Sequence, residues 1–347
     1  MSLEITTLQE KHLDDAAALV CARYTTLRER VPIMPSRYEE VSVILPMLVH
    51  LIKDSPGVVA LQGSRLVGFL SGLVLPKLLG KRCAYSPEWA NGVELEASRR
   101  TYGEMYAKLS AQWIADGCGM HAVTLLANDR PGVEGWQWLG FGFAGADGIR
   151  ALNPIEGATA QVEVRQAGME DVASVSLFVQ ALEQHMLSAP IFWIHDLGDC
   201  REWLNDPARA VWLAHDGHEA IGCMAIGPAN SDACAIIQDD KTASIMMAFT
   251  RESARNKGVA MAVLNRSLEW ARSQGYARCA LDFETMNLTA SRFWLRWFEP
   301  VCYSLIRGID ERVVSAIHKE PCSKWCPHDA QATALSFQSH GIRGSFL

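Results

Sequence analysis

The sequence lacks a long, uninterrupted hydrophobic run. Its most apolar stretch, from Leu66 to Gly80, is interrupted by Gly68, Gly72 and Pro76, and it is shorter than the roughly 20 residues that a membrane-spanning helix needs. The first residues have neither the basic start nor the apolar core of a secretory signal. We therefore expect a cytoplasmic protein that neither spans nor binds a membrane.

An excess of positive charge is also missing. Lys and Arg total 32 against 39 Asp and Glu, which gives a formal net charge of -7 over 347 residues. This balance disfavours nonspecific attraction to nucleic acid or to anionic lipid. We expect no nucleic-acid partner.

The cysteines show no disulfide framework. The 10 cysteines are scattered through apolar segments, which is typical of buried, reduced thiols. Near the end of the chain, His318, Cys322, Cys326 and His328 invite a metal hypothesis. Their spacing, H-x-x-x-C-x-x-x-C-x-H, differs from the better-known zinc motifs, so we expect no metal.

The chain contains an internal repeat. The segment VVALQGSRLVGFLSG resembles VWLAHDGHEAIGCMA, and their glycines, Gly68 and Gly222, are 154 positions apart. Each segment has two apolar runs around a glycine-containing turn, a pattern that predicts a β-hairpin. Downstream, Asp129 and Asn287 occupy matching places 158 positions apart. Two copies of one domain explain this order.

Each copy predicts a strand, one or two helices, a hairpin, a strand, a long helix, a strand, a short helix and a final strand. This pattern belongs to the α/β class, with a mixed, mostly antiparallel sheet flanked by helices in each copy. Asn153, Pro154 and Gly157 interrupt the periodicity between the copies. We therefore predict domains at residues 1–155 and 156–312 and an extension at 313–347.

One motif in the second copy predicts a phosphate site. An apolar strand runs through a short polar loop into a long helix, and the junction reads RNKGVA: Arg255, Asn256, Lys257, Gly258, Val259 and Ala260. The amides and the dipole at a helix start favour an anion, and a glycine permits close approach of a pyrophosphate. The Walker and dinucleotide-binding motifs are both absent.

This arrangement resembles the GNAT superfamily of acyl-CoA-dependent N-acetyltransferases. RNKGVA fits the R/Q-x-x-G-x-G/A loop of the family, and Asn287, Ala290 and Phe293 fit its downstream N-x-x-A-x-x-F pattern. The resemblance covers about residues 4–312. It implies that RNKGVA and Asn287 bind acetyl-CoA as cosubstrate and that the backbone of Phe249 and Thr250 binds the pantetheine arm.

The resemblance also implies direct attack on the thioester by a primary amine of a small molecule or a peptide. The amine must lose a proton, and two carboxylates on the strand CALDFE, Asp282 and Glu284, are candidate bases, although solvated acidic faces are common. We prefer Glu284, which is closer to the strand end that faces the expected cleft. Trp193 lies in a segment that borders the acceptor pocket in the family.

The usual proton donor is replaced. Many family members have a tyrosine where this chain has Trp294, whose indole is not a useful acid. Tyr303, a few residues later, could substitute, or solvent could protonate the thiolate.

The first copy departs further from the family pattern. Its counterpart of RNKGVA is RTYGEM, which keeps Arg100 and Gly103 but adds Glu104. Asp129 stands in place of Asn287, and both acidic residues disfavour a polyanionic ligand. We expect a degenerate copy with a structural or substrate-shaping role.

Two functions are compatible with these features. The first is an N-acetyltransferase whose second domain uses acetyl-CoA. The alternative is a noncatalytic acyl-CoA-binding or regulatory protein, which the tryptophan at 294 and the degenerate first copy would suit. The amine acceptor and the oligomeric state are not determined by the sequence.

Overall fold

A computed structural model describes residues 3–95, 98–157, 162–229 and 234–319. Within these ranges, none of the helices combines the length and the apolar character needed to cross a membrane. Cys322, Cys326 and His328, considered above as metal ligands, lie outside the described residues, as does the side chain of His318.

The first half of the chain begins with a strand and two helices and continues through a series of short strands. Its elements are β1 (Leu3–Thr7), α1 (Leu13–Arg30), α2 (Val41–Asp54), β2 (Gly57–Gln62), β3 (Arg65–Ser71), β4 (Leu73–Leu78), β5 (Lys81–Ser86), β6 (Asn91–Val93), α3 (Ser98–Ala115), β7 (Met120–Leu126), α4 (Arg130–Trp138) and β8 (Gly142–Ala151).

The second half has a similar order, except that a single strand stands between its hairpin and its long helix, where the first half has three. Its elements are β9 (Glu163–Gln166), α5 (Val172–Leu187), α6 (Cys200–Asn205), β10 (Ala210–Asp216), β11 (Glu219–Pro228), β12 (Thr242–Thr250), α7 (Val259–Ser273), β13 (Arg278–Glu284), α8 (Leu288–Trp297), β14 (Glu299–Gly308) and α9 (Glu311–Lys319). The observed order confirms the predicted α/β class.

The chain packs as two compact units that do not follow the sequence order. Among the described residues, the first unit comprises residues 3–24, 38–142 and 304–319, and the second comprises residues 25–37 and 143–303. Most of β8 therefore packs in the second unit, although it precedes the predicted boundary at 155. The predicted domains at residues 1–155 and 156–312 therefore stay a prediction from the sequence repeat.

The second unit has a mixed sheet in the order β8-β13-β12-β11-β10-β9, with the start of β14 beside β8. The neighbours from β8 to β9 pair antiparallel, except that β12 and β13 run parallel. On one face, α7 buries Val263, Leu264 and Leu268 against the sheet. On the other face, α5 buries Val175 and Phe178. The sheet is thus the middle layer between helices.

The first unit is built on two groups of strands. One has the order β1-β2-β3-β6, and the other contains β4, β5 and β7 with the end of β14 beside β7. Helix α3 buries one apolar stripe, formed by Tyr102, Met105, Tyr106, Leu109 and Trp113. Their spacing of three or four residues puts them on one face of the helix.

The two predicted hairpins share their register. In the first, Ala60 pairs with Gly68 and a bulge follows, and in the second, Ala214 pairs with Gly222 and a bulge follows at the same place. A Cβ on Gly222 would lie 2.9 Å from Val259 at the start of α7. These glycines let the long helix of each unit approach its sheet closely, and the shared details support the predicted repeat.

Candidate functional site

A groove opens in the second unit where two parallel strands diverge. Strands β12 and β13 pair only from Thr242 to Ser244, opposite Arg278 to Ala280. Beyond Ser244, the strands separate, and the groove of about 710 Å³ is lined by residues of β12, the start of α7 and α8. Most of the predicted coenzyme residues line it: Phe249, Thr250, Arg255, Asn256, Gly258, Val259, Ala260 and Asn287.

The turn before α7 exposes the amino end of that helix. Gly258 is the N-cap residue, with φ of 81°, and Asn256 also has a positive φ of 61°. A residue with a Cβ adopts such a backbone only with strain, which accounts for the glycine in the motif. The first helical amides, at Val259 and Ala260, have no partner within the helix. Together with the helix dipole, they make an anion-binding end that faces the groove.

The two cations of the motif are placed differently. Arg255 is half-buried, lies over the ring of Phe249 at 5.5 Å, and donates from Nε to the Thr250 carbonyl at 3.3 Å. Its side chain is therefore fixed beside the groove. Lys257 is exposed and is not among the lining residues. Only the arginine is held in contact with the lining of the groove.

The register of β12 shows which backbone groups face the gap. The Arg251 amide donates to the Ile221 carbonyl of β11 at 2.9 Å. Because backbone direction alternates along a strand, Phe249 also turns its amide and carbonyl toward β11, whereas Ala248 and Thr250 turn theirs toward the gap. Of the predicted pair, Thr250 presents its backbone to the groove and Phe249 presents its side chain.

Asn287 begins α8 at the edge of the groove. Its Oδ1 accepts from the Ala290 amide at 3.2 Å and lies 3.3 Å from His185 Nε2. The residue is buried and its Nδ2 contacts the sulfur of Met186. Asn287 therefore joins the end of α5 to the start of α8, and an asparagine suits this position because its short side chain caps the helix.

The preferred base, Glu284, lies one turn before Asn287. Its carboxylate is 91% buried, and its Oε1 lies 3.4 Å from His195 Nδ1. The Trp193 amide donates to the Met186 carbonyl at 2.8 Å, which holds the loop that carries His195 near the groove edge. The structure thus brings together a carboxylate and an imidazole, the two groups that most often accept protons in enzymes.

Trp294 stands where many family members have the donor, and Tyr303 is the predicted substitute. Trp294 is buried and packs against Phe293 and Phe298 with ring distances of 4.8 Å and 5.5 Å. The ring of Tyr303 lies 5.3 Å from that of Phe143. Tyr303 and Glu284, the two predicted catalytic residues, are both absent from the lining of the groove.

The corresponding place in the first unit is filled by a buried ion pair. Asp129, which caps α4 as Asn287 caps α8, is fully buried and lies 2.7 Å from Arg23 Nη2. Ser98 also donates to Asp129 at 3.0 Å, and Arg23 contacts Tyr102 at 3.2 Å. The crevice beside Arg23 is too small for a water molecule.

The loop motif of the first copy has a different structure too. Helix α3 begins at Ser98, so Arg100 and Gly103 lie within the helix rather than before it. At this position in a helix, the Gly103 amide donates to a carbonyl of the preceding turn and is not free for a ligand. Glu104 forms an ion pair with Arg100 at 2.7 Å. An open helix end with free amides is therefore not formed at this motif.

Two functional candidates escaped the sequence analysis. His185 lines the groove at the end of α5, and His195 contacts Glu284 from the following loop. Neither belongs to a motif, because His185 is placed by the packing of α5 and His195 by the path of the loop that follows this helix. The segment that includes Trp193 signalled the region, but a lone histidine in a sequence is more often structural than functional.

Comparisons with known proteins agree with this geometry. The family model of the acetyltransferase (GNAT) family matches residues 178–298. An uncharacterized N-acetyltransferase, YsnE of Bacillus subtilis, is 31% identical over 132 residues, which cover 36% of this chain and 80% of that protein.

Solved structures extend the likeness over most of the chain. A GCN5-related N-acetyltransferase from Sphaerobacter thermophilus shares the fold, with a TM-score of 0.52, 13% identity, and coverage of 88% of this chain and 95% of that one. A tandem GNAT protein from the clavulanic acid biosynthesis pathway has a TM-score of 0.44, 15% identity, and coverage of 88% and 98%. On the sequence relationship to YsnE, the chain belongs to the GNAT family of N-acetyltransferases, which use an acyl-CoA as cosubstrate.

Proposed function

We propose that the second unit transfers an acetyl group from acetyl-CoA to a primary amine. The observation that supports this most strongly is the groove itself, which is lined by the open start of α7 and by the end of β12 that no longer pairs with β13. These are the two features that a thioester ligand with a pyrophosphate requires. The cosubstrate supplies the activated acetyl group, and the chain binds it and handles the proton.

The start of α7 would hold the pyrophosphate. The amides of Val259 and Ala260 donate to the anionic oxygens, and Gly258 leaves room for them. Arg255 adds a positive charge that its contact with Phe249 keeps in place. Amide donors fixed before the ligand arrives lose little freedom on binding, which favours affinity.

Strand β12 would orient the pantetheine arm and the thioester. The backbone of Thr250 and Ala248 faces the gap. The Thr250 carbonyl accepts from Arg255 Nε, which leaves the Thr250 amide and both backbone groups of Ala248 for the ligand. The Ala248 amide would donate to the thioester oxygen as negative charge develops there. Such a donor stabilises the transition state more than the ground state.

Glu284 would receive a proton from the ammonium form of the acceptor, which leaves a neutral amine able to attack. The carbon–nitrogen bond then forms while the carbon–sulfur bond breaks, and the second proton lost by nitrogen passes to solvent. His195, at 3.4 Å, holds Glu284 and can carry the proton onward. The coenzyme thiolate leaves and takes its proton from solvent, since the buried Trp294 offers no acid.

The acceptor is proposed to be the primary amine of a small molecule or a peptide. An amine that arrives as a cation is attracted to the carboxylate of Glu284. The loop that carries His195 also has two exposed apolar side chains, Phe192 and Ile194. An acceptor with an apolar group near its amine would contact them.

The activity is tested with purified protein, acetyl-CoA, a panel of primary amines and a thiol-detecting dye. Glu284→Gln keeps the shape of the side chain and removes its basicity, so we expect kcat to fall about 10²- to 10⁴-fold with little change in coenzyme affinity. Glu269→Gln, an exposed change on α7, serves as the control and should be neutral. An unchanged kcat in Glu284→Gln would remove this residue from the mechanism.

A noncatalytic acyl-CoA-binding role is the second candidate. The observation that favours it is Trp294, which is buried at the position where the family pattern has a tyrosine. Coenzyme binding by calorimetry, without thiol release for any amine, would support this role and contradict the proposed transferase activity.

A further inference from the structure

Three potential metal ligands meet inside the second unit, away from the groove lining. They are Asp147 on β8, Cys302 on β14, and Cys234 just before a short 3₁₀ turn. One ligand atom from each lies within 4.8 Å of the other two, and all three residues are buried. Residues far apart in the sequence thus place two sulfurs and a carboxylate at one point.

The environment of Asp147 is unusual for a buried carboxylate. Its Oδ1 accepts from the Cys234 amide at 2.9 Å. Among the described residues, no lysine, arginine or histidine is within ion-pair distance of it. A buried carboxylate without a nearby cationic side chain is uncommon, because buried charges are normally paired or bound to a metal.

The ligand set corresponds to a particular cation. Thiolates and a carboxylate are ligands that Zn²⁺ binds, with bonds of about 2.3 Å to sulfur and about 2.0 Å to oxygen. A tetrahedron with these bond lengths separates its ligand atoms by about 3.6 Å. The three side chains would therefore have to move inward by about 1 Å, which small rotations of their χ1 angles allow.

A further oxygen donor lies on the same side of the sheet. Asp282 of β13 is the direct cross-strand partner of Asp147, and paired residues of neighbouring strands share a face. The two carboxylates repel each other when both are ionised, and a divalent cation between them would remove that repulsion. Asp282 is not one of the three clustered residues, so its carboxylate would have to turn toward them to complete a four-coordinate site.

We propose that Asp147, Cys234 and Cys302 bind one Zn²⁺ ion, with Asp282 near the fourth position. A closed site of this kind is structural. It would join β8, β14 and the turn that starts at Cys234, so metal binding stabilises the second unit without taking part in acyl transfer. The inference does not depend on the proposed function, because none of the three ligands lines the groove.

The proposal is tested on the full chain. Metal analysis of protein purified without chelators should give about one zinc per chain. After chelator treatment, titration with Zn²⁺ against a chromophoric chelator measures the affinity. Asp147→Asn and Cys302→Ser should each weaken the zinc affinity by at least about 100-fold. Loss of a residue that only hydrogen-bonds to a metal ligand already weakens metal affinity by up to about 100-fold, and these two residues are ligands themselves.

Two controls locate the site. Cys279→Ala removes a buried cysteine that sits elsewhere on the same sheet and should keep wild-type zinc affinity. The double change Cys322→Ser and Cys326→Ser alters the extension and should also keep it. Zinc lost from the double variant and retained in Cys302→Ser would overturn the proposal.

A spectrum of the unmodified chain keeps the test valid if a variant fails to fold. Co²⁺ added to the zinc-free wild type should produce a thiolate-to-cobalt charge-transfer absorption, and Zn²⁺ should displace it. Absence of this band, absence of measurable zinc affinity, or a disulfide between Cys234 and Cys302 in freshly purified protein would each contradict the site.

Discussion

Replacing Gly258 by alanine should separate coenzyme binding from stability. Gly258 caps α7 with φ of 81° and lines the groove. Gly275, at the other end of the same helix, has nearly the same backbone, with φ of 83°, and an added Cβ there would meet nothing within 4 Å. Gly275→Ala is therefore a matched control for backbone strain.

The expected magnitudes follow from this pair. A left-handed backbone costs a residue with a Cβ about 1–2 kcal/mol, so both variants should lose that much free energy of unfolding. At Gly258, the added Cβ also stands between the first amides of α7 and the ligand. Loss of one hydrogen bond to a charged group costs about 1.5–3 kcal/mol, which corresponds to roughly 10- to 100-fold weaker binding.

Isothermal titration calorimetry with coenzyme A measures the affinity, and urea unfolding followed by circular dichroism measures the stability. We expect Gly258→Ala to bind coenzyme A more weakly and Gly275→Ala to bind it as wild type does. The two variants should lose similar amounts of unfolding free energy. Equal affinity in the two variants would refute the placement of the pyrophosphate at the start of α7.

Three other predictions follow from buried groups. Asn287→Ala removes the cap of α8 and should cost about 1 kcal/mol of unfolding free energy, whereas Asn287→Asp keeps an acceptor and should cost less, as urea unfolding can show. Burial lowers the pKa of His121 to about 4, whereas the unfolded chain has the ordinary value of about 6.5. Between these two pH values the unfolded chain binds more protons than the folded chain, so the free energy of unfolding of wild type should fall by up to about 3 kcal/mol as the pH is lowered, and that of His121→Phe by less, as urea unfolding at each pH can show. Asp129→Asn leaves the buried Arg23 uncompensated and should cost about 3–5 kcal/mol without adding a second coenzyme site, which calorimetric stoichiometry checks.

The fold was largely predictable because its signals are local and occur twice. Helical stripes such as the one on α3, and the turn glycines of the two hairpins, depend on neighbouring residues alone. The helix start at Gly258 was predictable for the same reason. A glycine between a polar loop and an apolar helical segment indicates a left-handed backbone at the junction.

The rest of the site depends on long-range pairing that the sequence does not encode locally. The placement of β8 beside β13, the contact of His195 with Glu284, and the meeting of Asp147 with Cys234 and Cys302 join segments 80 or more positions apart. The direction of the Phe249 backbone also required the register of β12 on β11, since a shift of one residue would reverse it.

The central claim is that acyl transfer takes place in the groove of the second unit. The measurement that tests it most directly is amine-dependent release of the coenzyme thiol from acetyl-CoA by wild type and by Gly258→Trp, whose bulk fills the space at the start of α7. We expect release with at least one amine by wild type and none by a folded Gly258→Trp. Undiminished release by that variant would contradict acyl transfer in this groove.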